Sequence, residues 1–434
     1  TITRLAIVNR GAAAMRLINA AREYAAEHQR DIQIVAIHTE ADARALFVRE
    51  ADFAVRVDGP ISVDNLTAVA AALTLAGVDG AWVGWGPLAQ QPAFAEMCAH
   101  LGITNVGLSA ATLTSIADRS VLQSAAESAG GNLSSLEIVE RGYSRHVEVL
   151  VAGDRFGDVW AVGVHDGTLQ RRSEKVLVES ADPTLIGVDD ALLRSVAARL
   201  ASLTGVVGAA TVAFVRENPS SDISLLRISG GLPLGHGVTE IGSGTDLAKL
   251  QLHIAEGGRL VGAAPIADGH AIAVRLNAED AELGFAPAPG RVVLLQVPTG
   301  PGLRIDPAVS EGDSVRPGDD STLAEVVAWG RDRDEARVRL RRALAQLPVV
   351  LGGGTTNKGF LLDLLDRDEV RRGDYDTGWL DRLAAAGETA GREHGEMAVL
   401  MAAVDAYDER QRSSRGHLGA TARRGPPQVS SELG

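Results

Sequence analysis

A chain of 434 residues is long enough for two or three domains, or one large composite domain, around a sizeable apolar core. Its hydrophobic share of 45% and charged share of 23% are ordinary for a folded globular protein, no apolar run reaches the length of a membrane span, and a net charge of -14 argues against a nucleic-acid partner, which needs a basic face. Cys98 is the single cysteine, so neither a disulfide framework nor a cysteine-based metal site can be built within the chain. Cys98 is expected to be a small buried hydrophobe on a helix. Thr1-Ile2-Thr3-Arg4 leads into a strand and not into a signal peptide, which points to a cytoplasmic protein with no membrane partner.

Leu5-Ala6-Ile7-Val8 is a short apolar run closed by Asn9-Arg10-Gly11 and followed by an Ala-rich helical stretch through Arg22. A second strand over Ile32 to Ile37 completes the spacing of a βαβ unit. No G-x-G-x-x-G follows the first strand, so Gly11 is expected to make the turn and not to touch a dinucleotide. A strand from Phe53 to Val57, a helix from Asp64 to Leu75 and a strand from Ala81 to Gly84 continue the alternation of a small doubly wound α/β domain. Ser109 to Ala129 reads as one helix stopped by Gly130-Gly131-Asn132, and strands follow at Leu136 to Val139 and His146 to Val151.

Val159 to Val164 alternates as a strand, Asp189 to Leu203 is an amphipathic helix, and Thr211 to Val215 with Ile223 to Ile228 form a hairpin-like pair. Leu225 to Glu240 then runs from an alternating strand through a loop of Gly, Pro and Ser into His236-Gly237-Val238-Thr239-Glu240. A helix from Asp246 to Glu256 stops at Gly257-Gly258, and strands at Ala271 to Leu276, Val292 to Val297, Leu303 to Ile305 and Ala324 to Trp329 make this half mainly antiparallel. Arg331 to Leu347 is a charged helix on which Arg337, Arg339, Arg341 and Arg342 read as a solvated face. Two helices begin at Asn357 and Trp379, and after about Gln411 the composition shifts to Gly, Ser, Arg and Pro, as in a linker or unpaired tail.

Arg4-to-Gly11 (RLAIVNRG), Ala81-to-Gly86 (AWVGWG), Gln170-Arg171-Arg172 with Lys175, HGVTE at 236 to 240, Leu247-to-Leu252 (LAKLQL), Arg275-to-Asp280 (RLNAED), Pro289-Gly290-Arg291 and Gly353-to-Lys358 (GGTTNK) occur in this order. Together they resemble the biotin carboxylase component of biotin-dependent acyl-CoA carboxylases, most nearly the version at the N-terminus of long single-chain, actinobacterial-type carboxylases. The resemblance covers nearly the whole chain to about Gln411, and the tail from Ala422 to Val429 is similar to the family's link into its next domain. It implies a fold of α/β and α+β parts in an ATP-grasp architecture. Residues 1–112 would be an N-terminal doubly wound α/β (pre-ATP-grasp) domain, 113–135 a helical connector with the remnant of a deleted lid, 136–411 a C-terminal ATP-grasp and biotin carboxylase C-like domain, and 412–434 a linker or flexible tail. The family uses MgATP to activate bicarbonate as carboxyphosphate and then carboxylates N1 of biotin. That chemistry needs carboxylates on divalent metals, cations on phosphoryl oxygens and a base for bicarbonate.

The sequence departs from the family pattern where that chemistry would be done. A family Glu in the strand Thr211-Val212-Ala213-Phe214 corresponds to Ala213. In the family's E-M-N-x-R-x-Q-V-E-H-P-V-T-E, the metal Glu, the Asn, a biotin-contacting Arg and the catalytic base correspond, counted back from His236, to Arg227, Ser229, Gly231 and Gly235, with Pro233 in place of the Gln. Arg227 would put a fixed positive charge where a cation should bind, and Gly235 cannot abstract a proton. The phosphate Lys of G-D-K corresponds to Arg119, which keeps charge but not geometry, and the Glu of N-R-G-E is Ala12. About fifteen residues separate the helix ending near Gly130 from the strand near His146, too few for the family's glycine-rich lid over the phosphates.

What persists is Lys175, matching a family Lys that supports bicarbonate or phosphate; Arg275, matching the Arg that stabilises the biotin enolate; and His146, matching a nucleotide-side His. Lys175 and His146 are expected to be vestigial, kept by packing or ion pairing, while for Arg275 packing and function stand level. Glu240 and Glu279 are expected to hold strands and loops together, and no metal ligand set is expected because Ala213, Arg227 and Ser229 replace it. The leading expectation is a catalytically silent biotin-carboxylase-like subunit or domain with a structural or regulatory role and no cofactor, partnered by a biotin carrier and a carboxyltransferase. Homo-oligomerisation is implied by the resemblance. The alternatives are an active biotin carboxylase using ATP, Mg and biotin, and a metal-free module binding a nucleotide or other small molecule.

Overall fold

Five short strands at the start of the chain pair side by side because each is too short to stand alone. In the computed structural model, which describes residues 1–134, 143–217, 223–318, 320–391, 400–401 and 403–412, they are β1 (Arg4–Ile7), β2 (Gln33–His38), β3 (Phe53–Arg56), β4 (Gly80–Trp82) and β5 (Thr104–Asn105). They form a sheet of order β3-β2-β1-β4-β5 with every pairing parallel. Alternate β1 residues feed two cores, as a sheet covered on both faces requires. Leu5 and Ile7 pack with Leu17 and Ile18 of α1 (Gly11–Glu27), while Ala6 packs with Val69 and Leu73 of α2 (Leu66–Ala76) and with Cys98 of α3 (Pro92–His100). Cys98 is fully buried, and that burial pushes its thiol pKa up to about 12. Gly11 makes the predicted turn at φ +61° as the first residue of α1.

The single helix predicted over Ser109 to Ala129 is two, α4 (Ala110–Ala117) and α5 (Arg119–Ser128). Asp118 has extended backbone, φ -82° and ψ 113°, and its carboxylate accepts from Ser120 N at 2.8 Å, so it caps a new helix and does not continue the old one. Asp118→Ala is expected to cost about 1 kcal/mol, read as a lowered urea midpoint with unchanged slope. The strand predicted at Leu136 to Val139 and the tail beyond 412 lie outside the described residues.

The second half is built on an eight-stranded sheet of order β12-β11-β6-β7-β10-β13-β19-β17, all of whose pairings are antiparallel. Its first members are β6 (Ser144–Gly153) and β7 (Val159–Asp166); a separate hairpin of β8 (Gln170–Arg171) and β9 (Glu174–Lys175) precedes β10 (Leu177–Ser180). The two residues turning that hairpin, Arg172 and Ser173, have φ +49° and +65°, the left-handed backbone of a two-residue turn more often supplied by Asn-Gly. β11 (Gly208–Glu217) and the edge strand β12 (Ile223–Gly230) follow, then β13 (His270–Asn277), β14 (Glu279–Asp280), β15 (Ala286–Pro287), β16 (Gly290–Leu295), β17 (Leu303–Pro307), β18 (Ser314–Val315), β19 (Thr322–Gly330) and β20 (Val349–Gly352). The outer edge of β12 is met by the segment after α5: Leu225 N donates to Asn132 O at 2.8 Å and Ser134 N to Leu225 O at 2.7 Å.

Helix α6 (Asp190–Leu203) lies on β6 and β7 and buries Leu193, Ala197, Leu200 and Ala201, the i, i+4, i+7, i+8 stripe of a helix packed on a sheet. The segment His236 to Glu240, to which the sequence pattern assigns no element, is helical: α7 (Gly235–Ser243) has its first six residues buried, and α8 (Leu247–Ala255) follows. Burial against the sheet offsets the poor helix propensity of the two glycines around His236. The helix α9 (Arg333–Ala345) does not present all its arginines to solvent. Arg337 is 8% exposed and donates to Leu365 O in α10 (Lys358–Asp366) at 3.0 Å, closing an otherwise open helix carbonyl, while Arg342 is exposed as expected. Residues 1–390 form one compact unit and 391–434 a second. In the second, residues 403–412 are helical and exposed. Among the described residues no helix is long and apolar enough to cross a membrane.

Candidate active site

Residues directly opposite in an antiparallel ladder share a face of the sheet. His165 of β7 stands opposite Glu148 of β6, Glu148 opposite Ala213 of β11, and Ala213 opposite Arg227 of β12, so these four side chains form one row across four strands. His146 lies two residues from Glu148 on the same face, and Ser229 opposite Thr211 begins the neighbouring row. The β8–β9 hairpin brings Lys175 over this row, and its Nζ donates to Glu148 Oε1.

Electrostatics follow from burial and from that contact. Burial acts to raise the Glu148 pKa, but the Lys175 ammonium and the His146 ring outweigh it and hold the carboxyl well below the usual range. Burial and then the charge of Lys175 push His146 down, with Arg227 adding to the effect, so the 3.4 Å approach of His146 Nε2 to Glu148 Oε1 sets a neutral imidazole beside a carboxylate without a hydrogen bond between them. His165 is lowered to about 4 by burial, and its Nε2 lies 2.5 Å from Thr239 Oγ1. Both ring nitrogens of His146 and Glu148 Oε2 are buried without a hydrogen-bond partner. Such orphaned polar atoms are uncommon and costly, and here they mark a polar face closed over by protein.

Lys175 and Arg275 meet on a neighbouring cleft of about 440 Å³, whose lining also includes Arg171, Arg172, Glu279 and Asp320. Arg275 Nε donates to the buried Glu325 at 3.3 Å. Glu279 accepts from Asn277 and Ser321, as expected of a residue that holds a loop. Arg119 is not brought to this cleft; on α5 it donates to Ser134 O at 3.2 Å. Glu240 is nearly fully buried and accepts from Arg16, Arg304 and Leu247 N, which ties α1, β17 and α8 together.

The two glycines of the 231 to 235 stretch are packing positions. A Cβ on Gly235 would stand 2.6 Å from His165 Nδ1. Gly231 has φ +97°, and a Cβ there would overlap Gly84 O. Neither position has room for the long side chain expected from the family pattern.

Comparison with known proteins places these features in a family. Residues 1–113 match the biotin carboxylase N-terminal domain, 107–262 the ATP-binding domain of the carbamoyl-phosphate synthase L chain, and 273–382 the biotin carboxylase C-terminal domain. Biotin carboxylase 1 of Bacillus subtilis is 30% identical over 456 aligned positions, which take in 89% of this chain and the whole of that relative. The chain belongs to the biotin carboxylase family. The alpha subunit of the mitochondrial methylcrotonoyl-CoA carboxylase of Oryza sativa is 27% identical over 88% of the chain, which spans 60% of that subunit. A biotin carboxylase in complex with β,γ-ATP from Campylobacter jejuni superposes with a TM-score of 0.79 at 26% identity, covering 88% of this chain and 99% of that one. The fold is the mixed α/β ATP-grasp fold of biotin carboxylases.

By the family pattern the positions of Ala213 on β11 and Arg227 on β12 would carry carboxylates for a divalent ion, and the residues present there do not supply them. Ala213 offers no donor, Arg227 offers positive charge, and Glu148 is already bonded to Lys175. A second group, His236, Asp306 and Glu325, brings possible ligand atoms within 4.8 Å of one another. Its carboxylates are taken by guanidinium groups: Arg304 Nη2 donates to Asp306 at 2.6 Å and Arg275 to Glu325, which supplies the cationic charge a metal would bring. Sequence reading missed Glu148, His165 and this arginine network. The available signal was a charged residue inside the otherwise apolar run Val147 to Val151.

Proposed function

We propose that this protein is a biotin-carboxylase-like component of an acyl-CoA carboxylase system that forms no carboxybiotin itself and serves as a structural or regulatory subunit or domain. The observation that carries the reading is the row His165, Glu148, Ala213, Arg227: its one carboxylate is committed to Lys175, and a guanidinium stands at its outer end. A face whose one carboxylate is ion-paired and whose outer position is an arginine cannot organise MgATP as the family's chemistry requires. The crowding at Gly231 and Gly235 supports the same reading, because the surrounding atoms have closed in where side chains would project.

Loss of the lid belongs to this proposal. Residues 129–143 are all that lies between α5 and β6, and the alignment with the Bacillus subtilis relative runs over 456 positions while using only 89% of a 434-residue chain, so the relative carries residues for which this chain has none. Partnership with a biotin carrier and a carboxyltransferase is supported by the plant relative, a named subunit of a carboxylase that is longer than this chain. Under this reading the protein needs no ATP, Mg or biotin of its own.

A second reading, an active biotin carboxylase, is favoured by the full-length match to the Bacillus subtilis enzyme and by the cleft that keeps Lys175 and Arg275 together. One assay separates the two. Bicarbonate-dependent ATP hydrolysis with free biotin and magnesium is expected to stay at the level of a no-protein blank; turnover comparable to the Bacillus subtilis relative, measured alongside, would establish the second reading instead.

A further inference from the structure

The parallel sheet reverses its winding direction between β1 and β4, since the chain adds β2 and β3 on one side of β1 and β4 and β5 on the other. Side chains leaving the carboxyl ends of strands at such a point leave a crevice, the usual ligand position in open α/β sheets. Here the crevice has a volume of about 650 Å³ and apolar walls that include Val8, Ile37, Phe47 and Ile61. That volume suits a small molecule; Asp320 also borders the Lys175 and Arg275 cleft, but none of Lys175, Arg275, His146 or Arg119 lines this crevice.

Charge selects the ligand class. The one guanidinium among the described lining residues, Arg10, lies 2.8 Å from the buried Asp42, and Arg316 approaches the same carboxylate at 3.8 Å. An anion would have to compete with Asp42 for that charge. Two further lining carboxylates, Asp64 and Asp320, are exposed, and among the described residues neither has an ion-pair partner. Trp85 adds an aromatic surface to the wall.

We infer that this crevice binds a small organic cation, an ammonium group on an apolar body, with Asp64 and Asp320 facing the ammonium and the Ile37, Phe47 and Ile61 wall covering the body. Affinity comes mainly from apolar burial, since carboxylates this exposed contribute about threefold in binding.

The test is titration of the full chain with hexylammonium, hexanol and hexanoate at one ionic strength, followed by ligand-observed NMR. Hexylammonium is expected to bind about threefold more tightly than hexanol, with hexanoate weakest. Asp64→Asn combined with Asp320→Asn, both at exposed positions, is expected to bring hexylammonium to the level of hexanol. Ile61→Trp and Val63→Trp, each filling the crevice from a different side, are expected to abolish binding of all three; Val63 is 39% exposed, so its substitution leaves the fold in place if Ile61→Trp does not. The inference is overturned if none of the three binds, if hexanoate equals hexylammonium, if the double Asn variant keeps the ammonium preference, or if the folded Val63→Trp protein binds unchanged. None of these readouts involves ATP or biotin, so either outcome leaves the proposed function to its own assay.

Discussion

Gly235→Glu is expected to destabilise the protein by about 3–5 kcal/mol and to confer no bicarbonate-dependent ATP hydrolysis. By sequence correspondence this substitution restores the family's base, so it would be the first choice of anyone trying to arm the site. The geometry opposes it. The new Cβ would stand 2.6 Å from His165 Nδ1, and position 235 is buried at the start of α7. His165 cannot step aside cheaply, because its Nε2 is engaged by Thr239 Oγ1 in the same helix. A carboxylate inserted there would also be buried without a built partner, which adds desolvation cost to the steric one. Urea denaturation of the variant measures the loss through its midpoint. A variant of wild-type stability that turns over ATP with biotin and bicarbonate would remove the foundation of the silent-subunit reading.

The second large effect is expected at Glu240. Glu240→Gln should cost about 3 kcal/mol near neutral pH, because Arg16 and Arg304 lose their shared carboxylate and keep only Asp246 and Asp306. The effect should depend on pH with a definite sign. Burial acts to raise the Glu240 pKa, but His236, Arg16 and Arg304 outweigh it and lower the folded value to about 2. A group depressed in the folded state contributes stability above its unfolded pKa of about 4.3, and that contribution is lost as pH falls toward 2. The linkage is worth about 3 kcal/mol, so the gap between wild type and Glu240→Gln should close between roughly pH 4.5 and pH 2. Glu179 is also lowered to about 2, by His270 and Arg333 against the pull of burial, and should steepen acid unfolding of both proteins alike. A gap that stays constant over that range would show that Glu240 acts by packing and not by charge.

Much of the fold was legible because its signal is local. The parallel strands of the first domain announce themselves as apolar runs between helices, and the later strands as alternation. The misreadings have physical causes. Asp118 carries no break signal when apolar periodicity continues past it, yet its carboxylate offers a better partner to Ser120 N than the helix does. His236-Gly237-Val238-Thr239-Glu240 lacks helix formers, and only burial against the sheet makes it helical. Arg337 reads as solvated until Leu365 O is placed beside it.

At the site, Lys175 and Arg275 could be named from correspondence with a family, and the structure lines one cleft with both. Glu148 could not be so named, since its importance arises only when β9 folds over β6 and delivers the Lys175 ammonium. Likewise Gly231 and Gly235 looked like side chains removed. That their space is filled by Gly84 and His165 is a tertiary fact with no local sequence mark.

The short pairing of Asn132 and Ser134 with Leu225 has a consequence for solubility. An outermost strand with bare amide and carbonyl groups invites strands from other molecules, and among the described residues β12 is the outermost strand of its sheet. By seating itself there, the segment leaving α5 acts as a stopper at one point of that edge, so a flexible insertion between Gly131 and Leu133 would do more than lengthen a connection. It would uncover a template for intermolecular β-pairing and turn a tolerant surface position into an aggregation site.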